Sequence, residues 1–103
     1  MEQLTKQQFE KNMTTDNVAL YVYTPMCGTC QVASKMMNVI EQLLPQHAIG
    51  KMDLNYEEQV ARDYEIESVP CLLLTNSGKV TKKVYAFQSV PYLYELIKNE
   101  LTG

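Results

Sequence analysis

Apolar positions follow two different spacings in the first half of the chain. Val18–Tyr23 is an almost unbroken apolar run of β-forming residues, which is typical of a central strand covered on both faces. The next segment, Cys27–Leu44, repeats apolar residues at three- and four-residue steps, which predicts a helix that ends before Pro45. The predicted buried face of this helix comprises Val32, Met36, Val39, Ile40, Leu43 and Leu44.

Shorter patterns predict the remaining elements. Thr5 and Gln8 have the spacing of a capping box, and Asn76-Ser77-Gly78 has the composition of a hairpin turn. The other predicted elements are a very short strand ending at Leu4, a helix from Thr5 to Met13, strands Ala48–Leu54, Cys71–Leu74 and Val80–Phe87, a helix from Glu57 to Tyr64, and a helix capped by Ser89 with Leu93, Leu96, Ile97 and Leu101 inward. This order predicts an α/β domain with a mixed central β-sheet of four to five strands, flanked by helices on both faces.

Length and charge narrow the classes of function. The chain has 103 residues, which predicts a single domain over residues 1–103, and its net charge is -3 with scattered lysines. The lysines form no basic stripe, so the sequence does not predict nucleic-acid binding. The polar N-terminus lacks the apolar region of a signal peptide, and no apolar run approaches the ~20 residues of a membrane span. We therefore expect a cytoplasmic protein without nucleic-acid or membrane partners.

The motif Cys27-Gly28-Thr29-Cys30 carries the candidate chemistry, because it lies where the predicted strand gives way to the predicted helix. A helix N-terminus stabilises a thiolate, which makes the two thiols a candidate dithiol–disulfide site. Three cysteines are too few for a disulfide framework and fit a reducing compartment. Zinc is the alternative, but it needs four ligands, and only Cys71 and His47 remain to complete a set. We expect no bound metal, because His47 is predicted to lie at the opposite end of the sheet.

The motif and its surroundings resemble the thioredoxin family over essentially the whole chain. The resemblance is carried by Tyr23–Cys30, by Ser68-Val69-Pro70, by Leu72–Leu74, by the turn ending in Gly78 and by the helix from Ser89. It implies a thioredoxin fold and a monomeric dithiol–disulfide oxidoreductase that reduces disulfide-containing protein substrates. It also implies that no cofactor is bound and that a flavin-containing thioredoxin reductase supplies electrons from NADPH.

The position of each cysteine predicts its role. Cys27 begins the helix and is assigned as the nucleophile, whereas Cys30, one turn later, is assigned as the resolving thiol. The resemblance implies that Pro70 is a cis proline facing the dithiol, and that the backbone of Val69 pairs with an extended substrate chain. Met26, Gly28 and Thr29 complete the predicted substrate-facing rim.

Several positions depart from the family pattern. Thr29 replaces the proline between the two cysteines, and Met26 and Tyr23 replace tryptophans. Tyr85 replaces a glycine that leaves room for a docking partner, so we expect a narrower groove. These changes put the usual thioredoxin substrates and reductase in question.

Tyr21 replaces the buried aspartate that relays a proton to the resolving thiol in thioredoxins. A tyrosine with a pKa near 10 is a poor base at neutral pH. Lys51 matches the family's lysine under the site, and Asp53 shares its strand face and is a candidate substitute carboxylate. An ion pair between Lys51 and Asp53 at the sheet surface is the structural alternative.

Cys71, directly after Pro70, leaves two interpretations open. A free cysteine is most often a small buried apolar residue. Alternatively, Cys71 is a third thiol that traps a mixed disulfide, or that acts with Cys27 and Cys30 in a metal or iron–sulfur binding module. A third hypothesis is a peptide-binding adaptor with weak redox activity, for which Tyr21 and Tyr85 are the motivating residues.

Overall fold

The computed structural model describes residues 1–102 and contains a five-stranded mixed sheet. The strands are β1 (Glu2–Gln3), β2 (Val18–Tyr23), β3 (Ala48–Asp53), β4 (Cys71–Asn76) and β5 (Lys79–Val84). The helices are α1 (Lys6–Thr15), α2 (Gly28–Leu43), α3 (Glu58–Asp63) and α4 (Val90–Leu101), with a 3₁₀ turn at Leu54–Tyr56. The α/β class and the mixed sheet with helices on both faces are confirmed. The predicted domain boundary at residue 103 lies outside the described residues.

The sheet has the strand order β1-β3-β2-β4-β5, with β1, β3 and β2 parallel and β4 and β5 antiparallel to their neighbours. In β2, all residues except Tyr23 are buried, as expected for a central strand. Because β4 is antiparallel to β2, Cys71 pairs with Val22 near the carboxyl end of β2. The segment before β4 and the loop after β2 therefore emerge at the same edge of the sheet.

Local sequence signals set the starts of α1 and α4 as predicted. The Gln8 N–H donates to Thr5 Oγ1 over 3.1 Å and the Thr5 N–H donates to Gln8 Oε1 over 2.9 Å, which completes the predicted capping box. Ser89 Oγ accepts from the Tyr92 N–H over 3.2 Å at the start of α4. These contacts satisfy backbone donors that would otherwise be unpaired at each helix start.

The predicted buried face of α2 is wrong in most of its positions. Val32, Val39 and Leu43 are 58%, 44% and 50% exposed, and Met36 is half-buried. The residues that pack inward are Cys30, Ala33, Met37, Ile40 and Leu44. Cys30 is part of this inward face, and residues three and four positions apart along the helix lie on the same face as Cys30.

The end of β5 also differs from the prediction. The predicted strand reached Phe87, whereas β5 ends at Val84 and the chain continues as an irregular segment to α4. In that segment Gln88 has a φ of 58°, a left-handed conformation that a strand does not contain. Phe87 is 6% exposed and packs in the core on the α2 and α4 side.

Helices cover both faces of the sheet with separate apolar clusters. Residues of α2 and α4, including Ile40 and Ile97, pack on one face. Residues of α1 and α3, including Phe9 and Val60, pack on the other. No helix among residues 1–102 is both long enough and apolar enough to cross a membrane.

Gly50 of β3 permits a close approach of the chain's N-terminal segment. A Cβ at this position would lie 2.7 Å from Leu4 Cδ1 and 3.3 Å from the Glu2 carbonyl oxygen. We expect Gly50→Ala to lower the free energy of unfolding by about 1–3 kcal/mol through overpacking. Denaturant unfolding should show a smaller loss when the same change is made in a Leu4→Ala background, because the clashing side chain is then gone. An equal loss in both backgrounds would contradict this account.

Candidate active site

The candidate site forms where α2 begins, directly after β2. Cys27 is the N-cap residue of α2, and the Cys30 N–H donates to Cys27 Sγ over 3.1 Å. The two cysteines form a disulfide with their Cα atoms 5.1 Å apart. The sulfur of Cys27 therefore takes the place of the hydroxyl or carboxylate that usually caps a helix. A thiolate there would face unpaired backbone donors and the positive end of the helix dipole.

The two sulfurs differ in their access to solvent. Cys27 is half-buried, whereas Cys30 is 2% exposed. Thr29 is exposed, and its Oγ1 lies 3.4 Å from Cys27 Sγ, close enough for the hydroxyl to donate to the sulfur. Cys27 is therefore the more accessible of the two cysteines.

Val69 and Pro70 face the cysteines across the sheet edge. The Val69–Pro70 peptide bond is cis, as the family resemblance implied. The Val69 carbonyl oxygen lies 3.9 Å from Cys27 Sγ. Both residues are half-buried, so the backbone of Val69 lies beside Cys27 at an accessible surface.

An apolar groove of about 400 Å³ adjoins the cysteines. All of its lining residues are uncharged, namely Thr29, Val32, Ala33, Met36, Pro70, Tyr85, Phe87 and Gln88. Sequence reasoning assigned Val32 and Met36 to the core and so missed them as groove residues. Placing Cys30 on the inward face of α2 would have placed Val32 and Met36 outside that face, so the position of Cys30 was the signal that could have identified them.

Tyr85 lies at one edge of this groove and is half-buried. Its Oη accepts from the Glu67 N–H over 3.2 Å. Lys83, two residues earlier in β5, donates to the carbonyl oxygens of Tyr64 and Glu65 over 3.2 and 3.1 Å. The two side chains thus hold the segment that leads to Pro70, which is a contact that the sequence did not predict.

Met26 and Gly28 lie on the exposed rim. Met26 is 95% exposed, and a Cβ on Gly28 would meet no atom within 4 Å. The flexible thioether of Met26 suits contact with varied surfaces. Open space at Gly28 leaves the backbone beside Cys27 accessible.

Tyr21 lies beneath the first turn of α2 and is fully buried. Its hydroxyl donates to the Cys30 carbonyl oxygen over 2.7 Å and accepts from Ser34 Oγ over 2.9 Å. Burial raises the pKa of Tyr21 above its ordinary value. Ser34 was missed by sequence reasoning, although its position four residues after Cys30 places it on the same helix face.

Lys51 and Asp53 lie on β3 at the same end of the sheet, and Tyr23 pairs with Asp53. Asp53 is 6% exposed, and its Oδ1 accepts from the Asn55 N–H over 3.0 Å at the start of the 3₁₀ turn. Lys51 Nζ lies 6.0 Å from the centre of the Tyr23 ring. Within residues 1–102 no salt bridge joins Lys51 to Asp53, so each has a different local partner.

Cys71 and His47 do not join the two cysteines in a metal site. Cys71 is fully buried, and His47 lines a crevice with Asp16 and Leu101. In the described part of the chain, no group of three or more histidine, cysteine, aspartate or glutamate residues lies close enough to hold a metal ion. The metal or iron–sulfur alternative therefore gains no support from the geometry.

Comparison with known proteins decides the family. The family model described as Thioredoxin matches residues 1–99. The chain belongs to the thioredoxin family. Thioredoxins in general exchange thiols with disulfide-containing substrates and are reduced by thioredoxin reductase.

Individual thioredoxin relatives match over nearly their whole length. The chain is 50% identical over 95 residues to the thioredoxin-like protein YusE of Bacillus subtilis, covering 91% of this chain and 90% of the relative. It is 26% identical to the thioredoxin of Bacillus subtilis, covering 94% of each chain. The solved structure of a mutant Halobacterium salinarum thioredoxin shares the fold, with a TM-score of 0.84, 24% identity and coverage of 99% of this chain and 91% of that one.

Cys71 provides a test of the buried-residue interpretation. Burial raises its pKa to about 11, although a hydrogen bond with Tyr85 acts in the opposite direction. Its thiol is therefore neutral and shielded near neutral pH. We expect iodoacetamide to modify Cys27 in the reduced native protein, and Cys71 only after denaturation. Mass spectrometry after digestion would contradict this if Cys71 were modified as rapidly as Cys27 in the native state.

Proposed function

We propose that this thioredoxin-family chain reduces protein disulfides, with Cys27 as the nucleophile and Cys30 as the resolving thiol. One observation carries the assignment of roles. Cys27 is half-buried and its Sγ accepts the Cys30 N–H at the start of α2, whereas Cys30 is 2% exposed. A backbone donor favours the thiolate form of Cys27, and access lets that thiolate reach a substrate.

The reaction proceeds in two exchanges. The Cys27 thiolate attacks one sulfur of the substrate disulfide, forms a mixed disulfide and releases the other substrate sulfur as a thiolate, which takes up a proton. The Cys30 thiol then loses its proton and attacks Cys27 Sγ. The second substrate thiolate leaves, and a Cys27–Cys30 disulfide forms. Two electrons have then moved from the protein dithiol to the substrate disulfide.

The surroundings of Cys27 support binding of an extended substrate segment. The half-buried backbone of Val69 lies beside the sulfur and offers main-chain groups for pairing with a strand. The uncharged groove lined by Val32, Met36 and Pro70 suits an apolar side chain of the same segment. Met26, Gly28 and Thr29 are exposed beside Cys27 and complete the contact surface, and Thr29 also lines the groove.

Membership of the family supports the remaining parts of the proposal. We infer that a flavin-containing thioredoxin reductase returns electrons from NADPH to the Cys27–Cys30 disulfide, and that the chain needs no bound cofactor of its own. We further infer a monomer with a single thioredoxin-like domain over residues 1–103, acting in the cytoplasm.

Insulin reduction tests the assignment of the nucleophile. With dithiothreitol as electron donor, we expect the wild type to accelerate precipitation of the insulin B chain and Cys27→Ser to give only the background rate. We expect Cys30→Ser to accumulate a mixed disulfide with the substrate, because no second thiol resolves it.

Cys71→Ala is the matched control, since it removes the cysteine that lies outside the exchanging pair. We expect it to retain the wild-type rate, with some loss of stability from the lost packing. Wild-type activity in Cys27→Ser, or loss of activity in a folded Cys71→Ala variant, would show that the roles are assigned to the wrong thiols.

A further inference from the structure

The ring of Tyr21 is fixed by its neighbours in the core. It is fully buried, stacks on Tyr23 with ring centres 5.5 Å apart, and meets Phe87 edge-on at 5.8 Å. Neighbours on two sides of the ring leave little freedom to turn it. The direction in which its hydroxyl points is therefore set by packing.

The Tyr21 hydroxyl both donates and accepts a hydrogen bond. The Cys30 carbonyl oxygen can only accept, so the single phenolic proton of Tyr21 points to it over 2.7 Å. Ser34 Oγ, at 2.9 Å, must then be the donor to Tyr21 Oη. The three groups form a hydrogen-bonded chain from Ser34 through Tyr21 to Cys30, and the phenol ties the carbonyl of Cys30 to β2.

We propose that Tyr21, supported by Ser34, is a positioning residue for the resolving step. The inference rests on the proposed role of Cys30. While Cys27 is joined to a substrate, the disulfide that holds Cys30 Sγ in place is absent. The position of Cys30 then depends on its backbone, and the hydrogen bond from Tyr21 anchors that backbone at its carbonyl. A thiol held in line with its target reacts faster than one that must search for it.

Tyr21 acts by position and not by taking the proton of Cys30. Its proton is committed to a carbonyl, its oxygen already accepts from Ser34, and its pKa is raised by burial. The titratable groups near its ring are Tyr23, which stacks on it, and Lys51 and Asp53 on the neighbouring strand. None of these groups depends on the Tyr21 hydroxyl for a hydrogen bond. Removing that hydroxyl therefore leaves the shape of the pH profile of the resolving step unchanged.

The reaction of the reduced protein with 5,5′-dithiobis(2-nitrobenzoate) separates the two exchanges. The first thionitrobenzoate is released as Cys27 forms the mixed disulfide, and the second as Cys30 resolves it. We expect Tyr21→Phe to leave the first phase unchanged and to slow the second roughly threefold to tenfold, which is the scale of one lost hydrogen bond. The same factor should hold at each pH across the neutral range. Ser34→Ala, which leaves the ring in place, should slow the second phase in the same sense by a smaller factor.

Tyr64→Phe is the matched control, because it also removes a tyrosine hydroxyl bond, here to Glu10 over 2.6 Å. We expect it to lower stability without changing either phase. Unchanged second phases in folded Tyr21→Phe and Ser34→Ala would overturn the proposal, as would equal slowing of both phases or a changed pH profile. If Tyr21→Phe does not fold, the second phase of Ser34→Ala decides alone.

A different result would refute the proposed function itself. If a Cys30→Ser variant still released the second thionitrobenzoate at the wild-type rate, Cys30 would not be the resolving thiol. That outcome is independent of the behaviour of the Tyr21 variants.

Discussion

The hydrogen bond from the Cys30 N–H to Cys27 Sγ is the interaction on which the site depends. It places a sulfur where a helix cap normally places oxygen, so the first turn of α2 is completed by the sulfur that we propose as the nucleophile. The sheet makes this arrangement possible. The loop after β2 places Cys27 at the edge of the sheet where β4 begins, and Val69 and Pro70 therefore lie opposite the cysteines.

The inward turn of Cys30 organises the surrounding packing. It brings Ala33, Met37 and Ile40 to the sheet and leaves Val32 and Met36 facing the groove. Beneath the first turn of α2, the chain carries the hydroxyls of Tyr21 and Ser34 where the family usually has a buried carboxylate. The site therefore combines the sulfur chemistry of a thioredoxin with a neutral hydrogen-bonded support, and this support acts on geometry instead of charge.

The sequence predicted the features that depend on local signals. The Cys27–Cys30 disulfide, the capping box of Thr5 and the apolar run of β2 each follow from residues close together in the chain, and the structure contains all three. The face of α2 was not predictable by counting apolar residues, because the helix carries two apolar stripes and only the tertiary fold shows which of them packs on the sheet. The contacts of Ser34 with Tyr21 and of Tyr85 with Glu67 join residues whose proximity is set by the tertiary fold, and no local pattern marks them.

Direct titration of the Cys27 thiolate tests the central claim most sharply. In a reduced Cys71→Ala protein, thiolate absorbance in the near-ultraviolet can be followed against pH, with Cys27→Ser as the reference. If the backbone donor and the helix N-terminus stabilise the thiolate, a transition that is absent in Cys27→Ser should occur below the value of a free cysteine, about 8.5. A Cys27 transition at or above that value would contradict the account.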